Sequence, residues 1–189
     1  IGELALLGVI CFQVQEKKAY RLCAPFAPMD AAEAELTLAR RYFTHYGPAS
    51  LRDAAYFFRV PQTKVKAWLK QLDAREISVD GRMYYATKDA PEGEMPHVRL
   101  LSGFDPMLLG YRKEDNPILP PEHLRGVFNL TGIVHPTVLA DGRIVARWRE
   151  KDGKVELMPF ENIGVRTKKR IEREVEKWFE VKEIRGMEI

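Results

Sequence analysis

The sequence has few of the residues that usually hold metals or crosslink a fold. Among its 189 residues are two cysteines and four histidines. Cys11 and Cys23 are predicted on neighbouring strands, where a disulfide is possible, but two thiols in a chain of this size favour a reduced, cytoplasmic protein. The histidines lack metal-ligand spacing and are expected to be surface or hydrogen-bonded residues, so we predict no metal site and no cofactor. They are His45, His97, His123 and His135.

Long apolar runs are also missing. Hydrophobic residues make up 46% of the chain, which is enough for a core. No run approaches the roughly 18 apolar residues that a membrane span needs, and no leader of the secretory type is seen. Glycine-rich phosphate loops and nucleophile-elbow motifs do not occur either. The length predicts one large domain or two small ones, with no membrane partner.

Charge of either sign is nearly balanced overall, because the net charge is only +3. Its distribution is uneven. Residues 59–88 contain seven Lys or Arg and three Asp or Glu, for a local net charge of +4. Residues 89–128 contain four basic and seven acidic residues, for a local net charge of −3. The positive charge is therefore concentrated in one segment.

Three amphipathic helices are predicted around this basic segment. The first begins after Asp30, an N-cap with Glu33 as its capping-box partner, and ends at Gly47-Pro48. Ser50 caps a short second helix, and Pro61 opens the third. Apolar residues recur at helical spacing in the first and third helices. They are Leu36, Ala39, Tyr42, Phe43 and Tyr46, then Val65, Trp68, Leu69 and Leu72.

A β-hairpin is predicted after the third helix. Ile77 and Val79 alternate with polar residues, Asp80-Gly81 is a strong type I′ turn signal, and alternation resumes on the return strand. Three helices with a tight turn between the second and third, followed by a hairpin, are the layout of a winged helix. We therefore predict a winged-helix domain over residues 31–90.

The outer face of the third helix is the candidate DNA-binding surface. Glutamine can pair with adenine edges, and Lys and Thr can hold phosphates, so the third helix could enter a major groove. Arg82, at the hairpin tip, joins this set. The alternatives are an ordinary solvated helix face and a surface for protein contact. The candidate DNA-binding residues are Gln62, Thr63, Lys64, Lys66, Lys70 and Arg82.

Residues 1–30 are predicted to form another hairpin. Ile10, Phe12 and Val14 would form its apolar face, and the segment "QEKK" would form its turn. We interpret this hairpin as the wing of a truncated, preceding winged helix. Because the chain starts at Ile1 rather than Met, we expect it to be part of a longer protein, although a cleaved N-terminus would look the same.

Residues 91–189 are predicted to form a β-rich domain. Residues 89–98 resemble a linker, a short helix is expected at about 121–128, and three strands are expected across the Asp141-Gly142 and Asp152-Gly153 turns. A final helix at about 167–181 would bury one apolar stripe, and its cations are an alternative basic surface. The stripe is Ile171, Val175, Trp178 and Phe179, and the cations are Lys168, Lys169, Arg170 and Arg173. The predicted fold class is thus α+β, with a winged helix, an antiparallel meander and a C-terminal helix.

Three segments in order give the sequence a specific resemblance. They are "ARRYFTHYGPASLRDAAYFFRV", "GFDPMLLGYRKED" and "GIVHPTVLADGRIVARWR". This set resembles the winged-helix DNA-binding family that includes the AlkZ and YcaQ DNA glycosylases. The resemblance runs from about Ala31 to Trp148. It implies a bacterial protein of about twice this length, with tandem winged helices and a β-rich C-terminal domain, that removes alkylated bases or unhooks crosslinks by N-glycosidic cleavage.

The family's catalytic motif is a Gln-aliphatic-Gln or Gln-x-Asp triplet, and Gln13-Val14-Gln15 resembles the first of these. In the family, however, the motif lies near the N-terminus in the first winged helix. Here the triplet lies in a predicted wing, and strand alternation places both amides on the polar side. Glutamine also needs partners to orient a water, because it does not titrate. We predict that the triplet is not catalytic, and that the catalytic motif lies upstream of this chain.

Asp105 and Arg112 are the remaining charged candidates, inside "GFDPMLLGYR". They could clamp DNA, but a structural ion pair or a loop cap is the favoured interpretation. The function predicted is that of the DNA-binding region of an AlkZ/YcaQ-like glycosylase, with double-stranded DNA as partner and no catalytic residue. The alternatives are a non-catalytic DNA-binding or regulatory protein and a protein-interaction winged helix.

Overall fold

The computed structural model describes residues 1–91 and 93–179, and the backbone of 184–185. It contains seven α-helices within these residues, together with a 3₁₀ turn at Pro121–His123. The helices are α1 Gly2–Leu6, α2 Ala31–His45, α3 Leu51–Phe58, α4 Gln62–Leu72, α5 Pro106–Leu109, α6 Leu124–Val127 and α7 Val165–Trp178. The strands are β1 Ile10–Gln13, β2 Ala19–Leu22, β3 Arg75–Val79, β4 Arg82–Ala86, β5 Val98–Leu101, β6 Thr137–Ala140, β7 Arg143–Lys151, β8 Lys154–Pro159 and β9 Ile184–Arg185.

The chain forms two compact units, residues 1–35 and the residues from Leu36 onward. In the first unit, β1 and β2 pair in an antiparallel hairpin with Ile10 opposite Leu22. The predicted apolar face of this hairpin is wrong, because Phe12 is 54% and Val14 91% exposed. Val14 also lies beyond the end of β1. Four-residue strands leave the hairpin too short to bury a face of its own.

Helices α2 and α4 occur where the periodicity predicted them, and α3 occurs where the Ser50 cap predicted it. Asp30 accepts hydrogen bonds from the amides of Ala32 and Glu33 at the start of α2. Ser50 and Asp53 form a reciprocal capping box at the start of α3. The predicted stripes of α2 and α4 share one core cluster, which also includes Ala49 and Ala54. Burial of these stripes supplies the stability that short helices lack alone.

The second core surrounds a five-stranded sheet with the order β5-β6-β7-β8-β9. The predicted meander of three antiparallel strands is its centre, and the turns at Asp141 and Asp152 have positive φ as expected. Segment 89–98 is not entirely a linker, because Val98 is buried and begins β5. This strand pairs with β6, a partner distant in sequence, so local composition did not reveal it.

The sheet is covered on both faces. Val138, Val155 and Leu157 pack against Ile171 and Val175 of α7 in one cluster. On the other face, Leu139 and Ile144 pack against residues of the segment 101–134 in a separate cluster. This segment also meets the helices, because the hydroxyl of Tyr42 donates to the carbonyl of Gly110 at 2.8 Å and that of Tyr111 donates to the carbonyl of Tyr46 at 2.8 Å. The segment 101–134 therefore connects the helices to the sheet.

Helix α7 differs from its predicted form at the C-terminal end. Ile171 and Val175 are buried as expected, but Trp178 is 67% exposed, so its predicted place in the buried stripe is wrong. The Trp178 indole N–H instead points along the helix to Oε1 of Glu174 at 3.3 Å. The helix ends at Trp178, and the predicted end at Val181 lies outside the described residues.

Glu174 fixes α7 to the edge strand β5. Its side chain is 4% exposed and accepts hydrogen bonds from Arg99 at 2.8 Å and Lys177 at 2.8 Å. Burial alone would raise the pKa of Glu174, but the hydrogen bonds from Lys177, Arg99 and Trp178 outweigh it and lower the pKa. The ionised carboxylate is thus the form that the fold stabilises.

We expect Glu174→Gln to lower the free energy of unfolding at neutral pH by about 1–3 kcal/mol, because a neutral amide loses charge-assisted bonds. The folded pKa lies below the unfolded value, so the wild-type advantage is present above roughly pH 4.3 and is lost as pH falls through the folded pKa. Urea denaturation of both proteins from pH 3 to pH 7 measures this difference. A difference that stays constant across the range would contradict the role of the ionised carboxylate.

Candidate nucleic-acid interface

Helix α4 presents the surface that was predicted from the sequence as the candidate DNA-binding face. It starts after Pro61, which has extended backbone geometry, and ends at Asp73, whose φ of 49° lies in the left-handed region. Val65, Trp68 and Leu69 are at most 7% exposed and anchor the inner face. The remaining positions of α4 therefore lie on the outside, and their orientation is set by this buried stripe.

The candidate residues of α4 differ in exposure. Gln62, Thr63, Lys66 and Lys70 are exposed, as predicted. Lys64 is half-buried, and its ammonium lies 5.8 Å from the centroid of the Trp68 ring. Such a contact holds the cation by its attraction to the ring face. Lys64 is therefore oriented by the core beneath it, whereas the other four side chains extend into solvent.

The β3–β4 hairpin carries the sixth candidate residue. Asp80 has a φ of 48° and Gly81 a φ of 74°, the pair of positive values that a type I′ turn requires. Arg82 follows this turn, pairs with Val79 and is exposed. The tight turn therefore fixes the backbone position from which the Arg82 side chain extends.

The six candidates do not lie in one groove. Gln62 and Arg82 line a groove of about 400 Å³ between the start of α3 and β4. Lys66 and Lys70 line a second groove of about 370 Å³, next to β3. Tyr85 of β4 borders both. The hairpin thus divides the proposed surface, and Thr63 and Lys64 line neither groove.

Acidic residues offset the cations in both grooves. The first has Arg52 and Arg82 against Asp53 and Asp115. The second has Lys66 and Lys70 against Asp73 and Glu76, where Asp73 is paired with Lys88 from outside the groove. The local charge of +4 counted along the sequence therefore does not translate into a strongly positive groove.

Arg52 is a candidate that sequence reasoning missed. It is exposed in the first turn of α3 and lines the same groove as Gln62 and Arg82. The sequence contained a signal for this residue, because Arg52 is the second residue after the Ser50 cap, on the helix that precedes α4. In helix-turn-helix proteins, that preceding helix crosses the DNA backbone.

The Gln13-Val14-Gln15 triplet lies in the first unit. Gln13 is the last residue of β1, Gln15 lies in the turn, and both side chains are exposed. The premise of apolar neighbours facing inward is wrong, as the exposure of Phe12 and Val14 shows. The assignment of the triplet as non-catalytic stays a prediction.

The cysteines of this unit are free thiols. The Arg21 guanidinium donates to Sγ of Cys11 at 3.4 Å. This hydrogen bond lowers the pKa of Cys11, while partial burial raises the pKa of Cys23.

Asp105 and Arg112 do not pair with each other in the structure. Asp105 caps α5, because its carboxylate accepts from the amides of Met107 at 2.9 Å and Ser102 at 3.2 Å. Arg112 contacts Glu114 at 3.2 Å and Asp115 at 3.5 Å. Asp105 therefore has the predicted role of a loop cap. Arg112 forms ion pairs, but with Glu114 and Asp115 rather than with Asp105.

The histidines have varied surroundings. His97 lies 2.7 Å from a carboxylate oxygen of Asp141, at the surface. His123 departs from the expectation, because it is only 8% exposed, stacks on Phe160 and has no hydrogen-bond partner at Nε2.

Among the described residues, no group of three or more potential ligands is arranged to hold a metal ion. In the same part of the chain, no helix is long and apolar enough to cross a membrane.

The comparisons with known proteins agree on one family. Residues 4–180 match the family described as DNA glycosylase AlkZ-like. The chain is 31% identical over 192 aligned positions to the interstrand DNA cross-link repair glycosylase of Streptomyces sahachiroi, and the match covers 92% of this chain and 52% of that protein. Its structure is similar to the solved DNA glycosylase AlkZ of Streptomyces sahachiroi, with a TM-score of 0.78 and 25% identity over 96% of this chain and 55% of that one. The chain thus spans about half the length of these relatives. It belongs to the AlkZ-like DNA glycosylase family.

Proposed function

We propose that this chain is the DNA-binding part of an AlkZ-like glycosylase that acts in the repair of alkylated or crosslinked DNA. Family membership carries the proposal, and the arrangement of α2, α3, α4 and the β3–β4 hairpin supports it. Three helices followed by a β-hairpin match the layout of a winged helix. In this proposal, residues 31–90 are the winged-helix domain, residues 91–189 are the β-rich domain, and residues 1–30 are the wing of a preceding unit.

The proposed partner is double-stranded DNA, held mainly by phosphate contacts. Lys66 and Lys70 lie one turn apart on the outer face of α4, and Arg82 directly follows the tight Asp80-Gly81 turn. Lysine is suited to phosphates as a point charge rather than to reading base edges. Gln62 and Thr63, at the exposed start of α4, are the candidates for base contact.

We also propose that residues 1–189 carry no glycosylase chemistry. Gln13 and Gln15 are both exposed on a short hairpin, whereas orienting a water requires fixed hydrogen-bond partners in a shielded site. The reaction would then belong to other parts of the whole protein.

The balanced charge of the two grooves favours a second candidate function. Each groove beside α4 has two cations and two carboxylates, which is a composition suited to a protein partner as well as to DNA. A protein-contact winged helix would bind without the steep salt dependence of a DNA complex.

We expect the purified chain to bind alkylated duplex DNA but to release no 7-methylguanine from it. Fluorescence anisotropy on a labelled duplex measures binding, and chromatography of the same reaction measures free base. A folded chain that binds no duplex would favour the protein-contact function. Release of free base that Gln13→Ala with Gln15→Ala abolishes would make the triplet catalytic.

A further inference from the structure

A third groove, of about 310 Å³, lies between α7 and the edge strand β5. Among the described residues, four permanent cations line it against one carboxylate, together with His97. The cations are Arg99, Arg170, Arg173 and Lys177, and the carboxylate is that of Glu174. This gives a net charge of +3 with His97 neutral, which equals the net charge of the whole chain. The two grooves beside α4 are balanced, so a more positive potential is expected here than in either of them.

Three of the four cations, Arg99, Arg170 and Lys177, are held in place by carboxylates. Glu174 binds Arg99 and Lys177, each at 2.8 Å. Asp141 contacts Arg170 at 3.4 Å and His97 at 2.7 Å. Cations that are already ordered lose less side-chain freedom when an anion binds.

The cations of α7 also form a row. Arg166, Arg170, Arg173 and Lys177 recur at intervals of three or four residues, so they share one side of the helix. From Arg170 to Lys177, the row extends about 10 Å along the helix axis. A row of this length suits a polyanion with regularly spaced charges, such as a DNA strand with one phosphate per roughly 3.4 Å of axis.

We propose that the α7–β5 groove is a second DNA-binding surface that holds the sugar-phosphate backbone of duplex DNA. This rests on the proposed function and extends it. The residues that line this groove line neither of the two grooves beside α4. The groove is therefore a separate surface from the α4 face. It reads no sequence, since arginine and lysine in a row contact phosphates alike along any duplex.

Arg173→Gln with Lys177→Gln tests the proposal, because both side chains are exposed and neither belongs to the core. We expect the salt slope of log affinity to decrease by about 2 and the affinity to fall on the order of 10- to 60-fold at about 0.1 M salt, alike for unrelated duplexes. Arg125→Gln with Lys151→Gln removes the same charge from exposed positions outside the groove and is expected to leave the slope unchanged. Circular dichroism checks that all variants are folded.

The outcomes separate this proposal from the proposed function. A folded Arg173→Gln, Lys177→Gln variant with wild-type affinity and slope would overturn the second surface. If Lys66→Ala with Lys70→Ala weakened binding in that same series, the α4 surface would stand alone. An equal loss in the Arg125→Gln, Lys151→Gln control would show a bulk charge effect and would also overturn the groove. A wild-type chain that binds no duplex would remove both proposals.

Discussion

Replacing Lys66 and Lys70 together by alanine is expected to lower the salt slope of duplex binding by about 2, if both ammonium groups contact phosphates. The corresponding loss of affinity is on the order of 10- to 60-fold at about 0.1 M salt. It should be the same for unrelated duplexes, because a phosphate contact has no sequence information. The fold should remain intact, since both residues are exposed and the α4 anchor is Val65, Trp68 and Leu69.

Glu76→Gln is the matched control of opposite sign. Glu76 lies in the same groove as Lys66 and Lys70, and it is exposed. Removing its charge should strengthen duplex binding, because a carboxylate beside two ammonium groups repels phosphate. Titrations at several salt concentrations measure both variants. An unchanged slope in the folded double variant would place the DNA contact away from α4.

Local chemistry predicted the helical part of the fold well. The buried stripe of α4, the Ser50 cap of α3 and the Asp80-Gly81 turn each depend on residues within one or two turns of chain. Spacing and capping rules act over the same range, so a single sequence contains the required information. The turns at Asp141-Gly142 and Asp152-Gly153 were predictable for the same reason.

What the sequence could not reveal depends on distant partners. Strand β5 is only four residues long and exists through its pairing with β6, some forty residues later. Trp178 fits the helical stripe of α7, yet it is 67% exposed and its indole donates to Glu174, whereas the neighbouring Phe179 packs against the core. Burial at the end of a helix depends on what lies underneath, which periodicity does not specify.

The candidate DNA-binding surface was likewise predictable where it depends on local sequence and not where it depends on distant residues. The sequence identified exposed polar positions on α4, because they are the complement of the buried stripe. It could not show that Asp115 lies beside Gln62 and Arg82, nor that Arg99 of β5 faces Lys177 of α7 across Glu174. Charge counted along the chain therefore placed the positive potential at 59–88, whereas in the described part of the folded chain the groove beside α7 has more positive charge than either groove beside α4.

The largest loss of stability from a polar substitution is expected at Asp53. This residue is 3% exposed, and one carboxylate oxygen accepts from the amide of Ser50 at 2.9 Å and its hydroxyl at 2.6 Å. The other oxygen accepts from the amide of Arg112 at 3.0 Å. Asp53 thus fixes the start of α3 and also ties the helices to the segment that covers the sheet. Helix α4 contacts α3, so the position of the proposed DNA-binding face depends on this residue.

We expect Asp53→Ala to lower the free energy of unfolding by about 3 kcal/mol, because it removes the carboxylate of the capping box and leaves the Ser50 and Arg112 amides without acceptors. For a chain of this size, that corresponds to a fall in Tm of about 6–12 °C. Ser50→Ala is the matched control and should cost about 1 kcal/mol, since Asp53 can still accept from the Ser50 and Arg112 amides. Thermal melts and urea denaturation rank the two variants, and hydrogen exchange follows the Arg112 amide. That amide should lose protection in Asp53→Ala and keep it in Ser50→Ala. Equal melting temperatures for both variants, with the Arg112 amide still protected, would mean that Asp53 only caps α3 and does not connect the helices to the sheet.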